Sequence, residues 1–148
     1  MDKPEFSDLV VSLDEIRGMD IDALFQKAVL FINTSGIEWK KTAYVMFKEI
    51  IYRDSNYSSG NGETPHFYLG NLEFFRKDDP ESAIAHYTKE LEMNPNDTWS
   101  YFYRGECWMD LKNYKKALSD YEQVARLDPS FPDIKEKIEA AKNHSEAT

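Results

Sequence analysis

Residues 98–131 read TWSYFYRGECWMDLKNYKKALSDYEQVARLDPSF, and residues 64–97 before them read TPHFYLGNLEFFRKDDPESAIAHYTKELEMNPND. Ala83, Tyr87 and Pro95 of the earlier stretch return 34 positions later as Ala117, Tyr121 and Pro129. A fixed period of this length marks a supersecondary unit that buries its apolar face by stacking on copies of itself. The punctuation repeats as well. Thr64-Pro65 sets a capping residue and a first-turn proline at a helix start. Asp78-Asp79-Pro80 in one copy and Lys112-Asn113 in the other mark a turn. Asn94-Pro95 and Asp128-Pro129 close the second helix of each copy, because the residue before a proline disfavours the α region. Each copy therefore reads as helix, turn, helix. Gly105 and Ala117 are small where the two helices of a hairpin must approach closely, and the aromatics fill the space between hairpins.

The order of these residues resembles the tetratricopeptide repeat, whose pattern is an aromatic, Leu-Gly, an aromatic, then Ala, an aromatic and Pro. Residues 98–131 supply Tyr101, Gly105, Trp108, Ala117, Tyr121 and Pro129, with Arg104 where the pattern has Leu. Residues 64–97 supply Phe67, Phe74, Ala83, Tyr87 and Pro95, but the Leu69-Gly70 pair sits one residue early, leaving Asn71 at the glycine place. The resemblance implies an all-α fold, a right-handed α-solenoid of stacked antiparallel helix hairpins, with about three tetratricopeptide repeats and a C-terminal capping helix.

A degenerate first copy lies upstream, over 20–57. Ala43, Phe47 and Ile50 mimic Ala117, Tyr121 and Val124, and Ser55 stands where the proline would be. Its first helix, about Ile21–Thr34, carries the apolar stripe Leu24, Ala28, Phe31 and Ile32 between a capping Asp20 and a stopping Gly36. The spacing from Ala43 to Ala83 exceeds the period by six residues, the stretch 58–63 (Ser-Ser-Gly-Asn-Gly-Glu), which reads as a flexible loop with Asn61-Gly62 as its turn and a deamidation site. The repeats then occupy 64–97 and 98–131. Residues 132–148 form a capping helix and tail, with Ile134, Ile138 and Ala141 on one side. Residues 1–19 are an acidic and apolar segment in which Ser12-Leu13-Asp14-Glu15 matches a capping box.

With a net charge of −9 and a pI near 4.8, the chain repels phosphate backbones and anionic lipid, which argues against nucleic-acid and membrane partners. No apolar run approaches the roughly 20 residues of a membrane helix. The first residues, Met1 to Val11, lack the basic start and apolar stretch of a secretory leader. The single cysteine, Cys107, forms no internal disulfide, and together these features favour the cytoplasm. The four Asn-x-Ser/Thr sequons, at Asn33, Asn56, Asn96 and Asn143, are then chance matches.

No catalytic or metal-binding constellation stands out, and no cofactor is implied. His66, His86 and His144 have no ligand spacing with one another or with Cys107, and they read as solvated or edge histidines. Cys107 reads as a packed thiol beside Trp108. Gly60-Asn61-Gly62 lacks the Gly-Lys-Ser/Thr ending of a phosphate loop. The expectation is a non-enzymatic protein.

In the family it resembles, the first helices of successive repeats line a concave face. In that register the groove comprises Phe25, Ala28, Val29 and Ile32 from the first copy, then Tyr68, Leu69, Leu72 and Phe75 from the second. The third contributes Trp99, Phe102, Tyr103, Glu106 and Met109. Such a surface fits an apolar peptide or helix of a protein partner, since large exposed apolar patches mark interaction sites. Co-chaperones of the family that grip a chaperone's C-terminal carboxylate use Lys, Asn and Arg on these helices. Ala28, Ile32, Leu69, Trp99 and Tyr103 stand at the corresponding places here, and Arg104 is one residue off. The groove is therefore read as apolar, for an adaptor or chaperone-like module. Two alternatives stand beside it. One is a self-associating module whose segment Phe6–Ile16 fills its own groove or that of a second copy. The other is similarity to the translocator chaperones of type III secretion.

Overall fold

The computed structural model describes residues 9–76 and 79–147. Lys77 and Asp78, and the Phe6–Asp8 part of the N-terminal segment, lie outside the described residues. Among the described residues, eight helices run in order: α1 (Leu13–Gly18), α2 (Ile21–Ile32), α3 (Ile37–Arg53), α4 (Pro65–Arg76), α5 (Pro80–Met93), α6 (Thr98–Asp110), α7 (Tyr114–Leu127) and α8 (Ile134–Glu146). Their starts follow from local chemistry. Asp20, Asp79, Asp97 and Asn113 each accept a hydrogen bond from a first-turn backbone N–H, satisfying donors that the helix leaves unpaired. Ser12 does the same for α1, accepting from the Glu15 N–H at 3.2 Å.

The chain divides into two compact units, Met1–Leu69 and Gly70–Thr148. In the first, α2 packs on α3 with Leu24, Phe25, Ala28 and Phe31 facing Ala43, Met46, Phe47 and Ile50, all buried. The degenerate first copy is thus a formed hairpin. The segment before it lies on α3, the second helix of that hairpin. Val10 N–H donates to Thr42 Oγ1 at 3.0 Å, and the Arg53 guanidinium donates to the carbonyls of Met19 (2.7 Å) and Ile16 (3.0 Å). This corrects the reading in which the segment fills its own groove, because its described part, from Leu9 on, is tied to α3 rather than to the groove-facing stripe of α2. The stretch 58–63 also differs from a loose loop. Ser59 N–H donates to the Glu63 carbonyl and Gly62 N–H to the Ser59 carbonyl, each at 2.9 Å, and Glu63 N–H donates to Ser59 Oγ at 3.1 Å.

In the second unit α5 packs on α6, α6 on α7 and α7 on α8. Two glycines decide how closely paired helices approach. A Cβ on Gly105 would lie 2.7 Å from the Tyr121 ring, and one on Gly70 would lie 2.8 Å from the Tyr87 ring. In both places the residue after the glycine takes the tyrosine hydroxyl. Asn71 Oδ1 accepts from Tyr87 at 2.7 Å, and Glu106 accepts from Tyr121. Gly70 is therefore the close-approach residue of its hairpin, and α4 is rotated by one residue relative to the sequence register. Gly70→Ala and Gly105→Ala should each lower stability by about 2 kcal/mol, because a core ring cannot retreat and the gain in helix propensity only partly offsets the clash. Gly18→Ala meets nothing within 4 Å and should be neutral or slightly stabilising. Chemical denaturation of the three variants separates these outcomes.

Candidate functional site

The first helix of the last hairpin, α6, carries an aromatic row along one face. Trp99, Phe102, Tyr103, Glu106 and Met109 recur at three- and four-residue steps, which sets them on one helix face. The Trp99 ring stacks on Tyr103, with centroids 5.7 Å apart and planes 26° apart. Tyr103 meets Phe74 at 4.9 Å and Phe75 at 5.8 Å. On the other side Trp99 meets Phe131 edge-on at 4.8 Å, and Phe102 meets Phe131 at 5.0 Å. The result is a continuous run of rings from Phe75 through Tyr103 and Trp99 to Phe131. Phe131 anchors the row in the core, and the other members are open to solvent to varying degrees. Phe75 is 67% exposed and Trp99 47%, while Phe102, Tyr103 and Met109 are half-buried.

Charge near this row is internally matched. Lys137 Nζ lies 2.7 Å from a Glu106 oxygen, and its ammonium stands 5.7 Å over the Phe102 ring. Burial raises the pKa of the Tyr121 hydroxyl, and the neighbouring Glu106 adds to the shift, so Tyr121 stays a neutral donor. Arg104 is held away from the surface role a lone cation could have. It donates to both oxygens of Asp120, at 2.7 and 2.8 Å, and to Thr88 Oγ1 at 3.1 Å, joining α6 to α7 and α5. Burial disfavours the charge on Arg104, but its bonds to Asp120 outweigh that and raise its pKa. The same burial raises the pKa of Asp120 against the pull of Arg104.

The remaining residues of the expected groove divide in two. Val29, Ile32 and Leu72 are half-buried. Tyr68 is also half-buried; its ring lies flat on Phe47 at 5.0 Å and 5°, and its hydroxyl donates to Glu63 at 2.8 Å. Phe25 and Leu69 are 0% exposed, and Ala28 is equally buried, so these three belong to the core and not to an open face. Phe25 is taken up by Phe47, Tyr57 and Tyr68, with ring centroids within 5.9 Å. Leu69 precedes the close-approach glycine, Gly70, and so occupies the buried leucine place of the repeat pattern. The signal was the Leu69-Gly70 pair itself.

The groups that could carry chemistry are engaged structurally. The Cys107 thiol is buried, and burial together with Asp110 and Glu106 pushes its pKa up to about 12, far from a nucleophile's. His66 is buried, not solvated, and its Nε2 lies 3.1 Å from the Ser55 carbonyl oxygen. His86 Nε2 lies 3.7 Å from Glu73, and His144 stacks on Tyr114 at 4.9 Å. Among the described residues no group of three or more His, Cys, Asp or Glu is placed to hold a metal ion, and no helix is long and apolar enough to cross a membrane.

Comparison with known proteins places this geometry. Residues 98–131 match the family model of the tetratricopeptide repeat. Hsp70-Hsp90 organizing protein 3 of Arabidopsis thaliana is 36% identical over 58 residues, covering 39% of this chain and 10% of that protein. Serine/threonine-protein phosphatase T of Aspergillus oryzae is 41% identical over 56 residues, covering 38% and 12%. The chain thus spans only about a tenth of the length of these relatives. Among solved structures, the tetratricopeptide-repeat domain of Arabidopsis OM64 superposes with a TM-score of 0.67 at 18% identity, covering 84% of this chain and 95% of that one. The first tetratricopeptide-repeat domain of Spaghetti (RPAP3), bound to the HSP90 peptide SRMEEVD, gives a TM-score of 0.64 at 18% identity, covering 83% and 95%. These likenesses show the fold, an all-α solenoid of helix hairpins.

Proposed function

We propose that this chain, a member of the tetratricopeptide-repeat family, is a non-enzymatic protein-interaction module that takes an apolar segment of a partner on the aromatic face of α6. The observation that carries the reading is the ring row on α6, the helix that presents ligand-binding side chains in this family: Trp99, exposed, and Tyr103, half-buried, are continued by the exposed Phe75 of α4 and backed by the buried Phe131. Aromatic residues with Met are enriched at interface cores, and a rigid row of rings supplies contact area at little cost in side-chain entropy. The HSP90 peptide held by the RPAP3 domain ends in acidic residues. A site for such a peptide needs unpaired cations, whereas here Arg104 is bonded to Asp120 and Lys137 to Glu106.

Two probes test this: an uncharged helical peptide with leucines at three- and four-residue steps, and the peptide SRMEEVD. The apolar peptide should bind, and Trp99→Ala and Phe75→Ala should each weaken it by about tenfold, worth about 1.4 kcal/mol, with helicity unchanged. Binding of SRMEEVD without binding of the apolar peptide would overturn the reading.

A further inference from the structure

We propose that Asn61 is a site of spontaneous covalent modification, through a succinimide with Gly62, and that its isoaspartyl product releases Tyr68 from the loop that holds it. Asn61-Gly62 is the one Asn-Gly pair in the chain; the other asparagines precede Thr34, Tyr57, Leu72, Pro95, Asp97, Tyr114 and His144. Both residues of the pair are exposed, Gly62 has φ +79°, and nothing lies within 4 Å of where a Cβ on Gly62 would stand. Gly62 brings no side chain to crowd the approach of its nitrogen to the Asn61 side-chain carbonyl once its hydrogen bond to Ser59 is released.

The step balances with water alone. The Gly62 nitrogen attacks Asn61 Cγ and gives its proton to solvent, and the side-chain –NH2 takes a proton from solvent and leaves as ammonia. Water then opens the five-membered imide at either carbonyl, giving aspartate or isoaspartate. The turn sets the pace. Gly62 N–H donates to the Ser59 carbonyl at 2.9 Å, so the attacking nitrogen is engaged until the loop opens. Ser59 closes that loop with its hydroxyl as well, accepting from Glu63 N–H at 3.1 Å.

The two products differ in what they do. Aspartate keeps the backbone length. Isoaspartate inserts a methylene into the main chain between Ser59 and Glu63, and the closure between their backbones, 2.9 Å for Ser59 N–H to Glu63 O, cannot hold its register. Glu63 is the acceptor for the Tyr68 hydroxyl at 2.8 Å, so the change reaches the ring stacked on Phe47.

The test is incubation of the full chain in mildly alkaline buffer, followed by peptide mapping that separates aspartate from isoaspartate. A gain of about 1 Da should appear at Asn61 well before any other asparagine, and several-fold faster in Ser59→Ala. The purified isoaspartyl form should exchange the amide hydrogens of 59–68 faster than the Asn61→Asp variant does. Conversion of other asparagines at the same pace as Asn61, an unchanged rate in Ser59→Ala, or equal exchange in the isoaspartyl form and Asn61→Asp would each overturn it.

Discussion

Replacing Arg104 by leucine, the residue the repeat pattern carries there, is expected to destabilise the protein by about 3–5 kcal/mol rather than stabilise it. Leucine would leave the Asp120 carboxylate, 6% exposed at its side chain, without the two bonds of 2.7 and 2.8 Å that compensate its burial. At this chain length a loss of that size lowers Tm by about 10 °C. The double variant Arg104→Leu with Asp120→Leu should recover most of it, because removing both charges avoids the uncompensated one. The effect also carries a pH signature. Asp120 already has a raised pKa, from burial working against Arg104. A carboxylate whose folded pKa lies above its unfolded value binds its proton more tightly in the native state, so its contribution to stability falls as pH rises through that window. Without Arg104 the pKa rises further. The loss in Arg104→Leu should therefore be smaller in mild acid than at neutral pH, and thermal unfolding across that range checks it.

Tyr121→Ala should cost about as much, 3–5 kcal/mol, through the cavity left by a fully buried ring. That ring fills the space opened by Gly105, meets Phe102 at 6.2 Å and donates its hydroxyl to Glu106. Tyr121→Phe isolates the hydroxyl and should cost only about 1 kcal/mol, since Glu106 keeps Lys137 as a partner. A pair of denaturation curves distinguishes the two. If Tyr121→Ala were no worse than Tyr121→Phe, the ring would not be the element that spaces α6 from α7.

The fold was legible because its period is written in residues that must be small, aromatic or helix-breaking. Ala83, Tyr87, Ala117 and Tyr121 are all buried, and so are Ala43, Phe47 and Ile50 of the degenerate copy. The α8 stripe was equally readable, with Ile134 and Ala141 buried and Ile138 half-buried. The site was only partly legible, because a period fixes which helices exist but not how far each is turned about its axis. One residue of helical register is a rotation of about 100°. In α4 that single step makes Gly70 the contact with Tyr87, buries Leu69 and brings Asn71 beside the Tyr87 hydroxyl. Phe25 illustrates the same limit in α2, where a ring on the expected groove-lining stripe is captured by Phe47, Tyr57 and Tyr68. The Arg104–Asp120 pair did leave a trace. It has the same 16-residue separation as Gly105 and Tyr121, so opposite charges flank the close-approach pair on facing helices.

An apolar segment seated on the aromatic face of α6 would lie against the Trp99 indole, which makes that indole its reporter. The chain has three tryptophans, Trp39, Trp99 and Trp108, whose indole N–H signals are separable by NMR. Trp39 is engaged by Phe31 at 4.7 Å and Trp108 by Lys116 at 4.3 Å, which leaves Trp99 as the exposed one in the ring row. On titration with the uncharged leucine peptide, the Trp99 indole signal should shift saturably while those of Trp39 and Trp108 stay in place. A Trp99 signal that does not move with the apolar peptide but shifts saturably with SRMEEVD would show that this face does not take apolar segments.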